Sequence, residues 1–138
     1  MKIKIKIIKK PSNKNISDIK EIYQEAGWLT RFDTNKRISE IVERSYIFVC
    51  AFDSDRIVAI ARVIADGVND AYIQDLTVKK DMRNRGIASA ILSYIKNYLL
   101  KKGFKFIILV SEKGTEKFYQ KNGFRYVKGM KVFIYEIK

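Results

Sequence analysis

The sequence predicts an α/β sandwich, a mixed and mostly antiparallel sheet flanked by helices in the order β-α-α-β-β-β-α-β-α-β-β. Three observations predict it. Near the N-terminus Ile3, Ile5 and Ile7 alternate with lysines, the period of a strand. From about Asn84, the residues Ile87, Ile91, Leu92, Ile95, Tyr98 and Leu99 recur at helical spacing. Between and after these, strand-like and helix-like runs follow one another over 138 residues with no repeat, low-complexity tract or linker, so one domain, 1–138, with a sizeable core is expected.

The elements follow in order. Lys2 to Ile8 reads as an edge strand, its lysines guarding the edge against further pairing. Ser17 reads as the N-cap of a helix through Ile19, Ile22 and Tyr23 that stops near Gly27. The link "WLTRFDT" leads to a second helix, about Asn35 to Ser45. Three strands come next: Tyr46 to Phe52, Arg56 to Ile64 after the turn Asp53-Ser54-Asp55, and Ala71 to Val78 after a polar connection with Asp66-Gly67. The long helix ends at Gly103. An apolar strand, Phe104 to Val110, a helix from about Lys113 to Lys121, and two last strands, Phe124 to Val127 and Lys131 to Ile137 around Gly129, complete the chain. Short turns make the middle strands antiparallel, whereas the strands at Ala71 and Phe104, joined through the long helix, require a parallel crossover.

Composition removes several chemistries. With no histidine, Ser-His-Asp hydrolysis and His-ligated metals are excluded, and any general acid or base is Asp, Glu, Tyr, Lys, Cys, a terminus or water. The one cysteine, Cys50, lies in the apolar run "YIFVCAF" and reads as a buried core thiol, so disulfides within the chain and Cys-based zinc sites are out. No apolar run spans a bilayer and "MKIKIKIIKK" is no signal-peptide core, so a cytoplasmic protein without a membrane partner is expected. The net charge of +13 suits a polyanion, but the 28 basic residues are spread along the whole chain with no nucleic-acid-binding motif among them.

The stretch Arg83-Asn84-Arg85-Gly86-Ile87-Ala88-Ser89 sits between a strand and a helix. The first amides of a helix lack intrahelical partners and carry partial positive charge, so an anion is favoured there. Gly86 has no Cβ to hold a ligand away, Ala88 keeps the first turn slim, and Arg83 and Arg85 add forked donors suited to phosphate oxygens. A phosphate or pyrophosphate cradle is expected, and the alternative is a soluble turn whose glycine serves its backbone angle. Neither standard phosphate loop, G-x-G-x-x-G or G-x-x-x-x-G-K-[ST], occurs, which disfavours nicotinamide and nucleoside-triphosphate enzymes.

The loop Arg83-x-x-Gly86-x-Ala88 resembles the Q/R-x-x-G-x-G/A signature of the GNAT superfamily of acyl-CoA-dependent N-acetyltransferases. "GTEKFYQKNGF" resembles that family's second signature, with Phe118, Tyr119, Lys121, Gly123 and Phe124 matching; Glu112 and Thr115 stand where the family often has Asn and Ala. Two loose motifs at the proper separation on the proper elements make the resemblance strong, and it spans essentially the whole chain. It implies the GNAT fold, acetyl-CoA as co-substrate without a metal, and direct transfer of the acetyl group to an amine of a small molecule or peptide. It further implies that amides from Arg83 to Ser89, including Asn84 and Ile87, bind the coenzyme pyrophosphate. The free edge at Leu76, Thr77 and Val78 would pair with the pantetheine arm, and Tyr119 would protonate the leaving thiolate.

Asp75 is a carboxylate in an apolar strand, where simple alternation puts Ile73, Asp75 and Thr77 on one face. Burying it requires a partner or a use. It either caps nearby amides or, as the resemblance implies, helps to position the amine, directly or through a water as the base. The acceptor pocket is expected from Trp28, Arg31, Phe32, Asp66, Asp70 and Tyr72: aromatics for an apolar wall, carboxylates for a cationic amine, and Arg31 for an anion. Two other classes remain open at this point, a non-catalytic acyl-CoA-binding module and a basic nucleic-acid- or ribosome-associated protein, and a homodimer is allowed.

Overall fold

In the computed structural model, residues 2–29 and 33–137 are described. Strand β1 (Ile3–Ile8) precedes helices α1 (Asn13–Glu25) and α2 (Asn35–Arg44). Strands β2 (Ile47–Asp53), β3 (Arg56–Ala65) and β4 (Asp70–Val78) follow, then α3 (Ile87–Lys101), β5 (Phe106–Leu109) and α4 (Glu116–Lys121). A 3-10 turn, Lys80–Met82, joins β4 to α3. The five strands lie side by side in chain order, antiparallel from β1 to β4 and parallel between β4 and β5. That is the expected mixed sheet, and the parallel pair is the one that α3 connects.

Two cores cover its faces. On one, Ile87, Ile91, Leu92, Ile95 and Leu99 of α3 pack on Val49, Ala51, Ala59, Ala61, Val63 and Ile73. On the other, Ile19, Ile22 and Tyr23 of α1, with Ile38 and Val42 of α2, pack on Phe48, Cys50, Ile57 and Ile60. The small residues Ala51, Ala59 and Ala61 beneath α3 let the helix approach the sheet closely, while bulky Phe48 and Ile60 fill the side of the shorter helices. Cys50 is a free, buried thiol, and burial pushes its pKa up, so it stays protonated and inert. Among the described residues no helix is long and apolar enough to cross a membrane.

Three local features differ from the sequence expectation. Helix α1 starts earlier than expected: Ser12, not Ser17, is its N-cap. The Ser12 hydroxyl accepts from the Asn15 amide (3.1 Å) while the Asn15 carboxamide accepts from the Ser12 amide (3.0 Å), a reciprocal box that Pro11 leads into and that leaves Ser17 inside the helix. Second, the alternation along β4 breaks at Asp75. Arg62 pairs with Gln74 and Ile60 with Thr77, so one residue of β3 faces two of β4, Asp75 and Leu76, and Asp75 has φ of 59°. This β-bulge turns Asp75 towards α1 and places Leu76 and Val78 against the α3-side core, correcting the expected shared face of Ile73, Asp75 and Thr77. Third, residues 124–137 form no strand, and the expected last hairpin is an exposed arm.

The end of β4 is anchored. Lys79, 3% exposed, pairs with both Glu21 and Glu25 of α1, and the Glu25 carboxylate also accepts from the Lys80 amide (3.0 Å). An ammonium this deep stays charged only with such partners.

Candidate active site

The site is built from the splay between β4 and β5. Their ladder runs from Asp70–Phe106 to Ile73–Leu109 and stops, while β4 continues to Val78. From Gln74 to Val78, including Leu76 and Thr77, the strand therefore presents an edge with no neighbouring strand among the described residues, a row of backbone donors and acceptors available to an amide-bearing ligand.

Just beyond that edge lies the loop into α3. Asn84 and Gly86 both adopt left-handed backbone angles, φ of 63° and 77°, and Gly86 is the N-cap of α3. The helical ladder opens with the Ala90 amide donating to the Gly86 carbonyl (3.0 Å), which leaves the amides of Ile87, Ala88 and Ser89 pointing out of the helix end. A Cβ on Gly86 would meet no atom within 4 Å, so the space in front of it is open. The expected helix start at Asn84 thus moves to Ile87, because two left-handed residues cannot belong to a right-handed helix. Arg83 Nε donates to the Val78 carbonyl (3.1 Å) and Arg85 Nη2 to the Asp81 carbonyl (3.5 Å), so both arginines brace the turn while keeping their charge at its mouth.

On the other side of the bulge, Asp75 Oδ2 accepts from Arg62 Nε (2.7 Å) and from the Tyr23 hydroxyl (3.0 Å), and Arg62 also donates to the Gln74 carboxamide (2.9 Å). Oδ1 of Asp75 has no partner among the described residues. Burial and the Asp75 charge push the Tyr23 phenol well above its ordinary value, so it remains a neutral donor. Asp75 opens into a pocket of about 160 Å³ walled by Tyr23, Trp28, Leu29, Ile38 and Ile41, with Asp33 at its rim. The rings of Tyr23 and Trp28 meet at a tilt of 51° with centroids 5.9 Å apart. Sequence reasoning missed Tyr23 and Arg62. The signal for Arg62 was present: a lone cation inside the apolar strand "IVAIARVIA", next to a strand with a lone carboxylate.

Of the other expected acceptor residues, Trp28 lines this pocket, and Arg31 and Phe32 lie outside the described residues. Asp66 and Tyr72 do not line it. Asp66 Oδ1 accepts from the amides of Val68 (2.8 Å), Asn69 (2.9 Å) and Asp70 (3.1 Å), capping the β3–β4 turn, and these amides hold its carboxyl below the usual range. Asp70 begins β4 in that same turn, bonded to the Asn69 carboxamide, and Tyr72 pairs with Ile64 and Ile108 near the strand's start. Because the folded state lowers the Asp66 pKa, its contribution to stability is present above the ordinary carboxylate value and is lost as pH falls through the folded one. Asp66→Ala is therefore expected to lower the melting temperature at neutral pH, with the gap from wild type closing below about pH 4. A gap that stays constant as the pH is taken below that value would remove the cap.

Tyr119 sits on α4, half-buried, its ring against Phe118 (5.1 Å between centroids) and Phe124 (6.2 Å) and packed on the α3-side core. Its hydroxyl has no hydrogen-bond partner among the described residues. Burial, and next the nearby Glu112 charge, raise its pKa, so it is a protonated donor at neutral pH.

A family model for the acetyltransferase (GNAT) family matches residues 13–124. No curated protein sequence matches the chain. Among solved structures, a GNAT-family acetyltransferase of Streptococcus pneumoniae superposes with a TM-score of 0.76 at 25% identity over 99% of each chain. An aminoglycoside acetyltransferase from an uncultured soil metagenomic sample, in complex with sisomicin, superposes at 0.81 with 15% identity, covering 99% of this chain and 97% of that one. Glucosamine-6-phosphate N-acetyltransferase of Arabidopsis thaliana gives 0.76 at 16% identity over 98% and 99%. A strand with an unpaired edge, a left-handed glycine turn and a helix start, arranged over a matched stretch that takes in both signatures, place the chain in the acetyltransferase (GNAT) family.

Proposed function

We propose that the protein is an acetyl-CoA-dependent N-acetyltransferase that acetylates a primary amine of a small molecule or peptide by direct attack. The observation that carries this reading is the bulge at Asp75, which lets one strand serve two ligands. Its edge from Leu76 to Val78 and the amides from Gly86 to Ser89 face the coenzyme side, and the Asp75 carboxylate faces the apolar pocket. The residues fit the coenzyme: the pyrophosphate takes the outward amides of α3 with the charge of Arg83 and Arg85 beside it, and the pantetheine amides pair with the open edge of β4.

Bound acetyl-CoA supplies an activated thioester carbonyl. Asp75 Oδ1 accepts from the amine N–H and fixes the nitrogen lone pair towards the splay, since Oδ2 is already occupied by Arg62 and Tyr23. The aromatic and aliphatic wall of Tyr23, Trp28, Leu29 and Ile38 excludes water from the nitrogen. The nitrogen forms the C–N bond as the C–S bond breaks; the amine proton leaves through Asp75 or a water it holds, and the Tyr119 hydroxyl gives its proton to the departing sulfur. Reprotonation of Tyr119 from solvent resets the site. Two proteins of the same fold, an aminoglycoside acetyltransferase and a glucosamine-6-phosphate N-acetyltransferase, support an amine acceptor.

Asp75→Asn tests the assignment. With a confirmed amine, turnover is expected to fall roughly 10- to 100-fold while the Kd for coenzyme A stays within about 2-fold, because the carboxylate acts on the nucleophile and touches no phosphate. Steady-state kinetics beside calorimetric binding reads both. Unchanged turnover across the pH range would leave Asp75 with only its structural bonds. Failure of every amine in a broad screen to release thiol, despite tight coenzyme binding, would make the protein a binding module instead.

A further inference from the structure

The pocket beside Asp75 is selective by its size, its wall and its charges. Among the described residues the wall is two aromatic rings, Tyr23 and Trp28, and three aliphatic chains, Leu29, Ile38 and Ile41. Its volume of about 160 Å³ is close to the roughly 150 Å³ of an apolar cavity that takes in one benzene molecule. The tilted rings of Tyr23 and Trp28 form a corner in which a third ring can lie edge-to-face.

The charges around this space cancel in pairs. Asp75 Oδ2 is held by Arg62 Nε (2.7 Å), and Asp33, the other carboxylate of the lining, is paired with Arg37 Nε (3.1 Å). A second ammonium on the ligand would have to displace Arg37. A carboxylate or phosphate would face two carboxylates, with no cation among the described lining residues to receive it. Hydroxyls fare no better: the Tyr23 hydroxyl already donates to Asp75, so a sugar would leave its own polar groups unpaired against the aliphatic wall.

We propose that the pocket takes a monoamine whose nitrogen is carried on one compact apolar group, a single ring or branched chain of about six carbons, and that it rejects amino sugars, amino acids and diamines. That this ligand is the acetyl acceptor rests on the function proposed above. The nitrogen meets Asp75 Oδ1 and the apolar group fills the corner, so Leu29 and Ile41 set the length and width of what enters.

Trp28 is the single tryptophan of the chain and is 38% exposed, so its emission reports occupancy of the pocket without turnover. The full chain with coenzyme A present is titrated with benzylamine, ethylamine, glucosamine, glycine and putrescine. Benzylamine is expected to shift the emission and to bind at least roughly 10-fold more tightly than ethylamine. Over glucosamine, glycine and putrescine the margin is expected to be at least roughly 100-fold. Thiol release from acetyl-CoA should rank kcat/KM in the same order. Ile41→Phe fills part of the space and should lower the ratio of benzylamine to ethylamine affinity at least roughly 10-fold. Leu29→Phe does the same from the link, and because both positions are only partly buried, melting curves should show both variants folded. Glucosamine, glycine or putrescine binding as tightly as benzylamine overturns the proposal. So does an emission that benzylamine leaves unmoved up to about 10 mM, or a preference that neither folded variant changes. Benzylamine binding at Trp28 with no thiol release from any amine upholds this ligand class and overturns the transferase reading instead.

Discussion

Gly86→Glu is expected to weaken coenzyme A binding by at least roughly 100-fold while leaving the fold in place. Two effects add. The new carboxylate stands where the amides of Ile87, Ala88 and Ser89 converge, competing for them and repelling the pyrophosphate in the region of highest partial positive charge. A side chain at φ of 77° also strains the turn by about 1–2 kcal/mol, which should lower the melting temperature by several degrees only. Gly86→Ala separates the effects: it carries the same strain, and its methyl meets no atom within 4 Å, so coenzyme affinity should stay within about 10-fold of wild type. Calorimetric titration with coenzyme A, beside melting curves, reads all three proteins. If the glutamate variant binds as the wild type does, the anion site lies elsewhere.

Tyr119→Phe should lower turnover roughly 100-fold, the low end of the general-acid range, because a thiolate leaves tolerably even without a proton. Packing should survive. The ring contacts with Phe118 and Phe124 remain, and the lost hydroxyl had no partner to orphan among the described residues. The Michaelis constant for acetyl-CoA should move little, since the hydrogen bond to sulfur strengthens only as charge builds there. Because burial and Glu112 raise the phenol's pKa, the ratio of wild-type to variant turnover should hold constant past about pH 9, where an ordinary tyrosine begins to ionise. Single-turnover kinetics removes product release from the comparison. A folded variant with wild-type turnover under those conditions would leave Tyr119 as a packing residue.

Much of this architecture was legible in the sequence because periodicity and punctuation agree. The run of Ile87, Ile91, Leu92, Ile95 and Leu99 that marks α3 is the stripe buried on the sheet, and Gly27 and Gly103 follow α1 and α3 as left-handed stops. What escaped has identifiable causes. Alternation has no symbol for an added residue, and aspartate, though commoner than most side chains at the left-handed angle that Asp75 takes, adopts it far less often than glycine. Ser17 and Ser12 are equally good caps by type; the reciprocal bond with Asn15 decides, and asparagine is not the usual partner in that box. The pocket beside Asp75, proposed above to take the acceptor, draws Tyr23, Leu29 and Ile38 from two helices and their link, where the apolar residues read only as core. Lys131 to Ile137 reads as a strand, but pairing is a property of two segments, and its own fold offers it no neighbour.

The buried ammonium of Lys79 makes two distant parts of the molecule fail together. It ties the last turns of α1 to the end of β4, where the strand has left β5 and is held on its other side by β3. Local opening of α1 is therefore expected to loosen the proposed coenzyme platform in the same event, so that the two regions behave as one cooperative unit. In a mutational scan, substitutions in the α1 core at Ile19 or Ile22, which touch no ligand, would score as coenzyme-binding defects, and a saturating coenzyme concentration would rescue them by holding the unit closed.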